Sequence, residues 1–130
     1  HLAAYRLRPD VSAVVHAHPK TVVAHSLASI GLMFKALPEA VVALGMIQSV
    51  PYETPGTHEL ALKMEGALEK HNAVVMERHG AVTLGTDLGE AYDRMETLEH
   101  AAQTLYLAQT LGKIEALPDS EIERLLTLVK

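Results

Sequence analysis

Residues 11–19 read Val-Ser-Ala-Val-Val-His-Ala-His-Pro, a short apolar run with β-branched residues, closed by Pro9 on one side and Pro19 on the other. Its length and bounds predict one strand over residues 11–18. Upstream, residues 1–7 (HLAAYRL) read as the last two turns of a helix that Pro9 closes. That helix opens without a cap or lead-in, so the chain is expected to be one domain over residues 1–130 that lacks its N-terminal part. Downstream, residues 20–30 carry apolar positions at Val23, Leu27 and Ile30, the spacing of a helix that Gly31 would end.

The alternation continues to the end of the chain. Residues 39–44 after Pro38 predict a short helix or turn, residues 46–50 a second strand, and residues 51–56 (PYETPG) a loop. Thr57 can cap a helix to about residue 71 with Leu60, Met64, Ala67 and Leu68 on its buried side. Residues 73–76 (AVVM) and 81–84 (AVTL) read as buried strands. Asp87 and Glu90 then form a capping-box-like pair for the longest helix, which carries Leu88, Ala91, Met95, Leu98, Ala102, Leu105 and Ala108 and stops at Gly112. Ser120 and Glu123 are expected to start a last helix with Ile122, Leu125, Leu126 and Val129. Strands alternating with helices give an α/β fold.

Composition narrows the function classes. With 130 residues, 48% of them hydrophobic and 21% charged, the chain has ordinary globular make-up and length enough for a real core. Its apolar runs fall far short of the ~20 residues that span a bilayer. A net charge of −5 is a poor footprint for nucleic acid or anionic membranes. With no cysteine, disulfides, thiolate metal sites and thiol catalysis are excluded. The sequence contains no G-x-G-x-x-G, no G-x-x-x-x-G-K-[ST] and no G-x-S-x-G. The five methionines are scattered and read as core fillers.

The eight histidines are the unusual part of the inventory. Residues two apart on a strand share a face, so His16 and His18 can converge on one ion. His79 follows another buried strand and precedes Gly80, which permits a sharp turn. Three neutral imidazoles and an open position make a catalytic zinc site; the alternative is three isolated polar residues, each bonded to backbone. His25 reads as a helix-surface or packing residue. His58 stands in a first helical turn, where the dipole disfavours a cation, and His71 stands near a helix C-terminus. His100 lies beside Glu96 and Glu99 and reads as solvated or ion-paired. His1 has no assignment. Glu77, two residues before His79, is not taken as a catalytic base.

Taken in order, His1-Leu-Ala-Ala-Tyr-Arg-x-Arg-Pro-Asp, Ala13-Val-Val-His16-Ala-His18-Pro19, Pro51-Tyr52-x-Thr-x-Gly56-Thr57 and Arg78-His79-Gly80 resemble the class II aldolase and adducin-head family, bacterial L-fuculose-phosphate aldolases above all. The resemblance implies a three-layer α/β/α sandwich with a mixed, largely antiparallel central sheet. It implies zinc on His16, His18 and His79, and reversible cleavage of a sugar 1-phosphate into dihydroxyacetone phosphate and an aldehyde. A homotetramer and a cytoplasmic place in carbohydrate metabolism are also implied. Residues 32–34 and 41–44, apolar stretches near loops, are the expected interface.

Departures from the family's pattern are equally specific. Its catalytic glutamate and its phosphate-holding loops would lie upstream of His1. Its mid-chain tyrosine falls where Leu37-Pro38-Glu39 stands, and its C-terminal covering aromatic has no counterpart. Catalytic and substrate-binding residues are therefore unassigned, and residues 1–130 alone are expected to show little or no aldolase activity. Two other readings sit on the same scaffold: a pentulose-phosphate 4-epimerase or sugar-phosphate dehydratase, and a non-enzymatic adducin-type interaction module. The first loses ground because the epimerases' T-H-A-D-Y-F-like segment is missing, the second because all three histidines are present.

Overall fold

The computed structural model describes residues 1–128, so Val129 lies outside the described residues. The stretch at 11–18 folds as β1 (Ala13–Ala17), preceded by α1 (Leu2–Leu7) and followed directly by α2 (Lys20–Leu27). A single 3-10 turn at Phe34–Ala36 leads into α3 (Pro38–Leu44), where Pro38 occupies the first helical position and needs no N–H partner. Then come β2 (Ile47–Val50), α4 (His58–Leu68), β3 (Ala73–Met76), β4 (Gly80–Gly85), α5 (Leu88–Leu111) and α6 (Asp119–Thr127).

The strands form one mixed sheet in the order β1-β4-β3-β2. β1 and β4 are antiparallel, with His16 opposite Val82, and β4 and β3 are antiparallel, while β3 and β2 run parallel. Helices cover both faces, giving the three layers expected. On one face Val74, Met76, Val82 and Leu84 pack with α1 and α4 through Ala3, Ala4, Leu60, Met64 and Leu68. On the other, Ala73, Val75 and Ala81 pack with Val22, Phe34, Leu44, Met95, Leu98 and Leu105. Alternation along each strand decides which core a residue enters.

Polar ties fix the layers. Arg8 at the end of α1 donates to Asp10 (2.9 and 2.7 Å), to the Leu68 carbonyl (3.3 Å) and to Asn72 Oδ1 (2.9 Å), binding α1 to the end of α4. Arg94 on α5 donates to the carbonyls of Leu84 and Ala43 and pairs with Glu90. Thr57 Oγ1 accepts from Leu60 N as an N-cap, and Asp87 accepts from Glu90 N at 2.8 Å. Glu90 closes the box on Thr86 N rather than on the N-cap residue itself.

Several expectations need correction. α2 ends at Leu27, not near Ile30, because Ser29 turns left-handed (φ 56°) and Ile30 N reaches back to the His25 carbonyl. Its buried face is Val22 and His25; Leu27 and Ile30 are exposed. α4 stops at Leu68, so His71 lies beyond the helix and bonds the Met46 carbonyl through Nδ1 at 2.9 Å. α6 begins at Asp119 after Pro118, and Ser120 does not cap it. Met33 and Met46 are exposed, unlike the buried Met64, Met76 and Met95, and Leu88 is exposed at the start of α5. Phe34, Val41 and Leu44, expected at an interface, are buried in the fold itself.

Candidate metal centre

His16 and His18 come from the last turn of chain before α2. The former is in β1; the latter is one residue past it, ahead of Pro19. Across the ladder, Ala17 pairs with Ala81, so the start of β4 and the turn before it lie alongside. That turn carries His79. The three rings form a near-equilateral cluster with centroids 5.0 Å apart in every pair, and one nitrogen from each lies within 4.8 Å of the others. Their planes stand at 56–71° to one another, so the rings are not stacked and their edges can face a common point.

Gly80 makes this closeness possible. A Cβ there would meet the Ala17 carbonyl and would lie 2.7 Å from His18 Cδ2 and 3.2 Å from His16 Cε1. Only hydrogen at that position lets β4 approach the two rings.

The tautomers and charges suit a cation. His16 Nδ1 lies 2.9 Å from the Ala81 carbonyl, which fixes Nδ1 as the donor and leaves Nε2 with its lone pair. His79 Nδ1 is buried with no hydrogen-bond partner among the described residues. A buried imidazole nitrogen left so is costly, and a bound cation with its own ligands offers it a place. Burial, and then the nearness of His16 and His18, hold the His79 pKa below the ordinary histidine value, so the ring is neutral at pH 7. A set of three imidazoles selects a borderline metal ion over calcium or magnesium, which take oxygen ligands. The residues present fit such an ion.

Beside the cluster opens a cleft of about 290 Å³ between the sheet and α1/α4, bordered by His16, His79, Gly56, Thr57, Met64 and Met76 among others. Among the described residues, its lining contains no carboxylate. The Thr57 hydroxyl is already engaged, donating to the Thr54 carbonyl at 2.7 Å and accepting from Leu60 N. Glu77 lines a different cleft on the opposite face of the sheet, with Arg78, Ser26 and His25. It stands apart from the three rings because Arg78, between Glu77 and His79, turns left-handed (φ 60°) and breaks the extended run that would have put the two on one side.

The other histidines stay out of the cluster. His25 is buried, its Nδ1 bonded to the Thr21 carbonyl at 2.8 Å and its ring edge-on to Tyr106. His100 is exposed. Its neighbour Glu99 is the residue that sequence reasoning missed: its carboxylate turns inward and accepts from Thr21 N and Val22 N of α2. A glutamate on a long helix gives no sign of this, because its partners lie 78 and 77 residues away.

Comparison with known proteins agrees with this fold. Residues 1–106 match the family described as Class II Aldolase and Adducin N-terminal domain. A 5-deoxy-D-ribulose 1-phosphate aldolase of Bacillus thuringiensis serovar kurstaki is 33% identical over 127 residues, 96% of this chain and 58% of that protein. A 3-oxo-tetronate 4-phosphate decarboxylase of Haemophilus influenzae is 32% identical over 129 residues, 96% of this chain and 61% of that protein. A solved L-fuculose 1-phosphate aldolase superposes with a TM-score of 0.89 at 29% identity, covering 98% of this chain and 60% of the other. The chain thus spans about 60% of the length of the relatives it matches.

Proposed function

The chain belongs to the class II aldolase and adducin N-terminal domain family, and on that footing we propose that it forms the metal-binding part of a zinc-dependent lyase. The reaction is reversible cleavage of a ketose 1-phosphate, L-fuculose 1-phosphate or a close relative, into dihydroxyacetone phosphate and an aldehyde. The observation that carries this reading is the convergence of His16, His18 and His79, with His16 and His79 bordering a cleft. Zinc there would supply Lewis-acid polarisation of the substrate's hydroxyl and carbonyl oxygens. The chain's own part is to present three imidazoles, to fix the His16 tautomer through the Ala81 carbonyl, and to bound the cleft with apolar side chains.

Abstraction and return of the proton need a positioned base, which contributes about 10²–10⁴-fold. Among the described residues, the cleft lining supplies no carboxylate. Residues 1–130 alone are then expected to bind metal and to turn substrate over near the background rate. Assembly as a homotetramer belongs to the same reading. The exposed Ile30 and Tyr106, lining a groove between α2 and α5, are better interface candidates than the buried Val41 and Leu44. A monomer by light scattering at micromolar concentration would contradict that part.

A decarboxylase is the second reading, favoured by the near-equal identity to a protein so named. Loss of carbon dioxide from a 3-oxo acid also places negative charge on a carbonyl oxygen, so the same metal ligands would serve. The test is to express the protein from its complete reading frame, load it with zinc and supply each substrate in turn. The aldolase reading expects dihydroxyacetone phosphate from the ketose 1-phosphate, lost on chelation and restored by zinc. Carbon dioxide from 3-oxo-tetronate 4-phosphate, with no triose phosphate from the ketose, assigns the decarboxylase. Zinc bound with neither product removes both readings and leaves the epimerase, the dehydratase and the interaction module.

A further inference from the structure

We infer that α2 is a strut tying two of the candidate metal ligands together, with Glu99 and Ser26 as the positioning residues at its two ends. The inference deepens the metal-binding reading above and rests on it for its functional meaning. His18 is separated from α2 only by Pro19, the N-cap residue, which has no side-chain donor or acceptor and provides no cap. Free amides at the helix start have to find partners elsewhere. Thr21 N donates to both oxygens of Glu99 at 3.0 Å, and Val22 N donates to Oε2 at 3.2 Å. Gln103 Nε2, one turn along α5, donates to Glu99 Oε1 at 2.9 Å and holds the carboxylate in register. The negative charge also faces the positive end of the α2 dipole. The segment after His18 is thereby fastened to α5, the longest helix of the fold.

At the other end of α2, Ser26 Oγ accepts from Arg78 N at 2.9 Å and donates to the Val23 carbonyl at 2.9 Å. Arg78 immediately precedes His79 and has φ 60°, a left-handed conformation that a non-glycine residue keeps only when its surroundings fix it. Glu77 N bonds the Val50 carbonyl and His79 N the Met76 carbonyl, both at 3.1 Å, so Ser26 completes the fastening of the turn. Two ligands 61 residues apart in sequence are therefore set by opposite ends of one eight-residue helix. Partners outside the ligand set typically change metal affinity by about 10–100-fold when removed.

The experiment uses Glu99→Ala, Glu99→Gln, Ser26→Ala and, as a control cap distant from α2, Asp87→Ala. Zinc affinity is read by chelator competition, the cobalt visible spectrum reports ligand geometry, and nitrogen-15 spectra of the rings report on the metal-free protein. Glu99→Ala is expected to weaken zinc about tenfold, shift the cobalt bands and move the His18 ring resonances while sparing His16. Ser26→Ala is expected to move the His79 resonances and weaken zinc several-fold. Glu99→Gln, whose carbonyl still accepts from α2, restores most of the loss, and Asp87→Ala leaves affinity unchanged. Unmoved rings with zinc affinity within about twofold of the parent in Glu99→Ala and Ser26→Ala would overturn the inference, as would equal losses in Asp87→Ala. A Glu99→Ala chain that does not fold passes the test to Glu99→Gln and Ser26→Ala. A parent that binds no zinc refutes the metal reading alone, and the ring spectra then decide the strut.

Discussion

The two faces of β1 are built for different ends. Val15 and Ala17 point into the layer under α5, where Val22, Leu98 and Leu105 are fully or almost fully buried. His16, between them, points to the α1/α4 side, where the core ends and a cleft of about 290 Å³ begins. One face supplies cohesion and the other presents polar side chains at its edge. Both roles come from a strand of five residues because its side chains alternate. The rigid face is also the one from which Glu99 reaches α2.

This contrast breaks down if stability and metal affinity respond to the same substitutions. The largest effect is expected from Leu98→Ala, at the fully buried centre of the α5 layer: about 2–5 kcal/mol of stability lost, from transfer and cavity terms together. Denaturant unfolding measures it, and zinc affinity per folded molecule should not change. His18→Ala should do the reverse. Removing one of three imidazoles should cost at least about 100-fold in zinc affinity, roughly 2.7 kcal/mol, with little change in unfolding because His18 is exposed.

Gly80→Ala is the substitution expected to strike both properties, because its Cβ would press on the Ala17 carbonyl and on two of the rings. A loss of about 1–3 kcal/mol in stability should accompany zinc binding weaker by about tenfold. Wild-type affinity in this variant would mean the rings do not need their present spacing. Asp87→Ala, which removes the cap of α5, should cost about 1 kcal/mol by thermal unfolding.

The smallest effect is a pH dependence. The Thr86 backbone N–H first, then its hydroxyl and Arg94, hold the Glu90 carboxyl below its ordinary value despite partial burial. Below the unfolded value of 4.5 the unfolded chain takes up a proton that the folded chain still refuses. The stability Glu90 contributes is therefore present above that pH and falls as pH drops through the lower, folded value. Glu90→Gln should flatten the urea midpoint in that acid window relative to the parent. An unchanged slope would show that Glu90 is not held as described.

Local signals made most of this legible in the sequence. The presence of β1, β3 and β4, though not the ends of β1 and β4, the caps at Thr57 and Asp87, and the same-face pair His16 and His18 all follow from near neighbours in the chain. The α2 face did not, since apolar spacing at Val23, Leu27 and Ile30 competes with Val22 and His25. The strand end and the bond to Glu99 decide which set turns inward. Residues 41–44 were equally ambiguous: an apolar run beside loops can be interface or core, and the packing of α5 and α6 against α3 buries Val41 and Leu44. Joining His79 to the pair required β1 and β4 to lie side by side, a non-local fact that spacing cannot express and that the family resemblance supplied.

X-ray absorption on the zinc-loaded protein tests the central claim most directly. The account predicts one zinc per chain with three imidazole nitrogens at about 2.0–2.1 Å, one of them lost in each of His16→Ala, His18→Ala and His79→Ala. A spectrum dominated by oxygen ligands, or one indifferent to those three substitutions, would contradict it.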